Sequence, residues 1–163
     1  MEEARNENWR GNVPQNSIFA KEIYRAFLHE LQDVTAYVQG AMTLAAHLPA
    51  VARLFDEIAR VEISHYEQLG QLLLHLGITP ALNTKFRQEP LRLGLDATTG
   101  AASLARRMMR EKIAEENAEE GEYRRLAKSA PTRSAADMLL AIATEEQEHA
   151  TALRGMLNRF ERA

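Results

Sequence analysis

Four long segments of the chain repeat apolar residues at the helical period, and each stripe is interrupted by at least one glutamate. The first carries Phe19, Ile23, Phe27, Val34, Tyr37, Ala41 and Leu44 together with Glu30. The second carries Ile58, Val61, Leu69, Leu72 and Leu76 with Glu62 and His65 of the motif EISH. The third, less apolar, carries Met109, Ile113, Tyr123 and Ala127 with Glu116 and Glu120, and the fourth carries Met138, Ile142, Leu153, Met156 and Phe160 with Glu146 and His149 of EQEH. An ionised carboxylate in low dielectric costs several kcal/mol unless it is paired or bound to a metal. A chain with this pattern must therefore fold its helices so that the inward carboxylates meet a partner.

Glycine and proline are few, 8 and 5 in 163 residues, and three of the prolines punctuate the periodic segments. The spacing predicts an all-α protein with helices over about 17–48, 50–76, 100–129 and 132–160, preceded by an N-terminal arm, 1–16, with no helical period. The first and third connections are tight and make two antiparallel helix hairpins. The middle one, about 77–99, has ~23 residues and could extend over ~75 Å, more than the ~45 Å length of a 30-residue helix, so it can cross the bundle. Gly77 is placed to cap the second helix.

Bulk properties narrow the chemistry. A length of 163 residues suits one domain able to bury roughly two thirds of its unfolded surface. A net charge of -3 gives no general attraction to nucleic acid. No apolar run reaches the ~18 residues of a membrane span, and the start MEEARNENWRGN lacks the apolar centre of a secretory signal, so a cytoplasmic location is expected. The absence of cysteine excludes disulfides, thiolate metal sites and a thiol nucleophile within these residues. Any metal must be held by carboxylate oxygen and imidazole nitrogen.

Hairpin symmetry places the inward polar groups at one level. Residues facing each other across a tight turn are symmetric about it, and Glu30 with Glu62 or His65 centres on AAHLPA (45–50). Glu116 with Glu146 or His149 centres on Pro131. The halves also align internally: HELQDVTAY (29–37) over EENAEEGEY (115–123) sets Glu30 over Glu116, Asp33 over Glu119 and Tyr37 over Tyr123. Four ionised glutamates and two neutral histidines carry a charge of -4, which two divalent cations neutralise. Helix three is the least decisive, because Glu115, Glu119, Glu120 and Glu122 compete with Glu116 for the inward position. Glu145 and Glu148 lie off the stripe and either face solvent or orient a neighbouring ligand. His29, His47 and His75 have no glutamate three residues earlier, and surface or helix-end roles suffice for them.

With the four inward glutamates and both Glu-x-x-His motifs in view, residues 17–160 resemble the ferritin-like di-iron carboxylate proteins, in particular their rubrerythrin branch. The resemblance implies a ferritin-like four-helix bundle whose metal ligands are Glu30, Glu62, His65, Glu116, Glu146 and His149. It implies that Glu30 and Glu116 bridge or cap the metals while each Glu-x-x-His pair holds one. It also implies two iron ions, or two manganese ions, acting on hydrogen peroxide or dioxygen in a di-metal oxidoreductase of oxidative-stress chemistry. Glu119, three residues after Glu116, stands where the branch has a second glutamate associated with redox-dependent ligand exchange. Glu119, Tyr37 and Tyr123 are the candidate catalytic groups. The branch usually carries a four-cysteine rubredoxin domain, whereas this chain has no cysteine, so an external electron donor is expected. A homo-oligomer, preferably a dimer, is expected too. The same ligand set serves a dimanganese catalase, or the ferroxidase centre of an iron-storage shell. A bundle without metal, kept as an interaction module, is the alternative that six ligands argue against.

Overall fold

The computed structural model describes residues 17–80 and 97–162, with the backbone alone for 97–99. The arm expected at 1–16 and most of the expected crossover lie outside the described residues. Four helices account for nearly all the rest: α1 (Ile18–Leu44), α2 (Pro49–His75), α3 (Ala97–Lys128) and α4 (Arg133–Arg162). α1 packs chiefly against α2 and α3 against α4, and α1·α3 and α2·α4 contacts close the bundle. This is the expected all-α four-helix bundle of two helix hairpins.

The ends follow from local chemistry. Ser17 caps α1, its hydroxyl accepting from the Ala20 amide at 3.1 Å. α1 stops at Leu44, whose carbonyl accepts from the amides of His47 and Leu48 in the turn. Pro49 opens α2 at its first position, where a missing N–H costs nothing and a fixed φ is already helical. Gly77 (φ 77°) closes α2: its amide reaches Leu74 O, and the Ile78 amide reaches Leu73 O, satisfying two of the last carbonyls. α3 starts three residues before the expected position, with Gly100 inside the helix.

The core falls into two apolar clusters. One, toward the Ser17 and Gly77 end, holds Phe19, Ile23, Phe27, Leu69, Leu73, Leu126, Leu139 and Ile142. The other, toward the Pro49 end, holds Leu44, Val51, Phe55, Ile58, Leu104, Met109 and Leu153. Along α1, Asp33 and Gly40 are buried where the sequence stripe had Val34 and Ala41, which are half-buried. Gly40 is there for closeness: a Cβ would lie 2.6 Å from both the Met108 methyl and the Phe55 ring.

Two glycines should therefore respond oppositely to alanine. At Gly40 the Phe55 ring, fully buried and in edge contact with Tyr37, cannot yield cheaply. Overpacking of about 1–3 kcal/mol outweighs the ~1 kcal/mol gain in helix propensity. At Gly121, inside α3 two turns before its end, nothing lies within 4 Å of the added carbon, so alanine should stabilise by about 0.5–1 kcal/mol. Chemical denaturation of both variants checks this; a stabilised Gly40→Ala would refute the close packing of α1 on α2.

Candidate metal centre

Between the two apolar clusters lies a polar level. Glu30, Glu62, His65, Glu116, Glu146 and His149 are all buried, His65 and Glu146 completely. They converge because each is the inward position of its helix at mid-height, and the two Glu-x-x-His pairs put a carboxylate and an imidazole one turn apart on the same face. The six form two groups of four whose ligand atoms lie within 4.8 Å of one another: Glu30, Glu62, His65 and Glu146; and Glu62, Glu116, Glu146 and His149. Glu62 and Glu146 belong to both.

The shared carboxylates divide their oxygens between the groups. Glu62 Oε2 is 2.9 Å from His65 Nδ1 and its Oε1 is 3.0 Å from His149 Nδ1. Glu146 Oε1 is 3.0 Å from His65 Nδ1 and its Oε2 is 3.0 Å from His149 Nδ1. Glu30 Oε2 faces His65 Nδ1 at 3.7 Å, and Glu116 Oε2 faces His149 Nδ1 at 3.3 Å. The two rings stand 5.9 Å apart between centroids. Glu30 and Glu116 thus take the outer positions, the capping one of the two roles the resemblance allows them, and the motif glutamates take the central ones.

The tyrosines occupy a mirrored arrangement. The Tyr37 hydroxyl donates to Glu116 Oε1, and the Tyr123 hydroxyl donates to Glu30 Oε1. Each lies two turns beyond the inward glutamate of its own helix and serves the glutamate of the other. Each outer carboxylate is therefore held by a hydroxyl on one oxygen while the second faces an imidazole. Glu145, half-exposed, has Oε2 2.7 Å from His65 Nε2 and so can fix that ring with Nδ1 pointing inward.

Glu119 stands apart from these groups. Its carboxylate meets His29, whose Nδ1 is also 3.2 Å from Asp33 Oδ2, and Asp33 in turn pairs with the buried Lys112. Lys112 also reaches Glu115 at 2.6 Å. The sequence reading missed Asp33 and Lys112 as interior residues and left His29 a surface role. The available signals were Asp33 one turn after Glu30, its alignment over Glu119, and Lys112 one turn before Glu116.

A cation fits the level on its donor chemistry. Glu62 Oε1 and Glu146 Oε1 are buried and have no hydrogen-bond partner although a ring nitrogen stands 3.0 Å from each. Acceptor oxygens so placed lose several kcal/mol each without a positive partner. Without metal, protons supply the charge. Burial pushes Glu30 well above the usual carboxylate range and lifts Glu116 to about 8. Burial also works to raise Glu62, but the imidazoles of His149 and His65 outweigh it and bring that carboxyl to about 2; Glu146 is lowered for the same reason. Burial opposes charge on the rings, yet the carboxylates around them raise His65 and push His149 up to about 12.

Four helices in two hairpins, with four inward glutamates and two inward histidines at one level, define a ferritin-like di-metal protein. The family model described as Rubrerythrin matches residues 22–157, and the chain belongs to that family. No curated protein and no solved structure matches it. Among the described residues no helix is long and apolar enough to cross a membrane.

Stability should report the proton balance. Glu116 rises from 4.5 to about 8 and His149 from 6.5 to about 12 on folding, and Glu30 and His65 move the same way. Each contribution is complete below the unfolded pKa and is lost as pH climbs toward the folded one. Those of Glu62 and Glu146, whose folded values are depressed, are complete above about 4.5. Metal-free protein should therefore melt at progressively lower temperature between about pH 5 and pH 8, whereas protein carrying divalent metal should hold or gain stability over that range. A rising metal-free midpoint would contradict the balance.

Proposed function

We propose that the chain is a di-metal oxidoreductase that reduces hydrogen peroxide or dioxygen with electrons from an external donor. The observation that carries this reading is the division of the Glu62 and Glu146 oxygens between two histidine-bearing groups. Bridging carboxylates between two cations require that arrangement, whereas a single cation does not. Glu30 and His65 would hold one metal, Glu116 and His149 the other, and Glu62 and Glu146 would bridge them. Iron or manganese bound there would supply a redox couple close to the substrate. With peroxide, the balance is one hydrogen peroxide, two electrons and two protons to two waters.

The chain's own residues supply positions and protons. Tyr37 and Tyr123 orient the outer carboxylates, and burial beside those carboxylates keeps both phenols protonated. Glu119, lifted to about 7 by burial and neighbouring carboxylates against the pull of His29, can carry a proton at neutral pH one turn from Glu116. The same place supports an alternate ligand role, as the rubrerythrin branch has a second glutamate at this offset. An oxygen and imidazole donor set accepts manganese as readily as iron, which keeps a dimanganese catalase as the second reading.

Metal content of protein from its native host, with the ultraviolet–visible spectrum of the oxidised form, tests the centre. Two irons with near-ultraviolet oxo-bridge absorption and donor-dependent peroxide loss are expected; two manganese ions with oxygen evolution from peroxide would select the catalase. Solution mass separates the dimer expected of an enzyme from the 24-subunit shell of a storage protein.

Glu116 and Glu119 should differ in kind. Glu116→Ala should cost a metal or abolish the dinuclear centre, because it removes an outer ligand. Glu119→Ala should leave both metals of the centre bound and lower peroxide turnover. Loss of metal from the Glu119 variant, with the Glu116 variant intact and active, would move the ligand by one turn of α3. Glu62→Ala and Glu146→Ala should each lower occupancy of both metals, since each removes a bridge.

A further inference from the structure

Beside the centre lies a second convergence of ligating side chains, of which the dinuclear reading employs only Glu119, as proton carrier or alternate ligand. His29, Asp33 and Glu119 each bring one ligand atom within 4.8 Å of the others. Asp33 is only 3% exposed and Glu119 is largely buried, while the His29 side chain is 49% exposed. Asp33 Oδ2 and Glu119 Oε1 both turn toward His29 Nδ1, yet neither oxygen has a hydrogen-bond partner. One ring nitrogen carries at most one proton and can only share it between the two acceptors, whereas a cation between the three meets each of them directly. Asp33 Oδ1 is already taken by Lys112, which fixes the carboxylate with Oδ2 toward His29.

Without metal, the Asp33 and Glu119 carboxylates lift His29 to about 11 and burial lifts Glu119 to about 7, so protons hold the place a cation would take. With those protons displaced, Asp33, Glu115 and Glu119 supply three negative charges and Lys112 one positive, leaving the charge of one divalent ion to be met. A surface pocket of about 280 Å³ between α1 and α3, lined by Gln32, Lys112, Glu111 and Glu115 among others, reaches His29 and Asp33 of this group, with Glu119 behind them. Its acidic rim favours cations over anions.

We propose that His29, Asp33 and Glu119 form a third divalent-cation site on the α1–α3 face, reached from solvent through this pocket and separate from the dinuclear centre. One imidazole and two carboxylates, with water completing the shell, suit Mn²⁺, Fe²⁺ or Zn²⁺. An ion held there stands one helical turn from Glu30 and Glu116, so the site can receive metal before it passes inward.

Equilibrium dialysis of metal-stripped protein against Mn²⁺ tests this, with helicity checked by circular dichroism. Wild type should bind three ions per chain, and His29→Ala and Glu119→Gln two each. A Glu62→Gln/Glu146→Gln variant should keep one ion that adding His29→Ala abolishes. Saturation of wild type at two, unchanged in both single variants, would overturn the third site while leaving the dinuclear reading intact; that is the result expected if a proton on His29 balances the charge instead. A third ion that survives both single variants would also overturn it. Conversely, a wild type that binds one ion, lost in His29→Ala but kept in Glu62→Gln/Glu146→Gln, would support this site and sink the dinuclear reading.

Discussion

Repulsion among four buried carboxylates at one level of the bundle is the constraint on which the rest of the structure depends. Glu30, Glu62, Glu116 and Glu146 interrupt the core where a bundle would ordinarily place leucine, and the apolar residues are split into a cluster above and a cluster below them. Each carboxylate costs several kcal/mol to desolvate, a sum comparable with the whole stability of a domain of this size. The level survives only with positive charge inside it, from protons on imidazole and carboxyl groups or from metal. The two apolar clusters hold the helices at a spacing that keeps the polar groups converged in either case.

Precision at the level comes from reciprocal support. Tyr37 and Tyr123 exchange helices to reach the outer glutamates, and Glu145 reaches His65 from outside. Because each tyrosine sits in a different apolar cluster, Tyr37 with the Phe55 group and Tyr123 with the Phe27 group, the centre is tied to the packing at both ends of the bundle. Gly40 belongs to the same design: it lets the Phe55 ring lie against α1, where that ring meets the edge of Tyr37.

A second tier of polar residues surrounds the α1–α3 side. Asp33, Lys112, His29 and Glu119 link the interior to the surface, in contrast to the α2–α4 side, where Glu145 is the outer contact of His65. The two halves of the bundle share a ligand pattern but differ in what stands behind it. Each side of the centre thus has its own polar link between interior and surface.

The sequence alone determined the helix count, the pairing of helices into hairpins and the identity of the six converging residues, because helical period, proline placement and symmetry about a turn are local or nearly local rules. Glu116 was separable from the acidic run of α3 only through its symmetry with Glu146 and its alignment with Glu30. Tertiary structure decided what those rules cannot express. Which carboxylates are central and which are outer depends on how side-chain oxygens divide across four helices, and the motif glutamates proved central. Asp33 and Lys112 were hard to read because their burial rests on pairing with each other across two helices, and no period within one helix signals a partner 79 residues away. His29 is exposed, as a surface role implies, but its contacts were not legible: Asp33 and Glu119 come together around it only when α1 lies against α3.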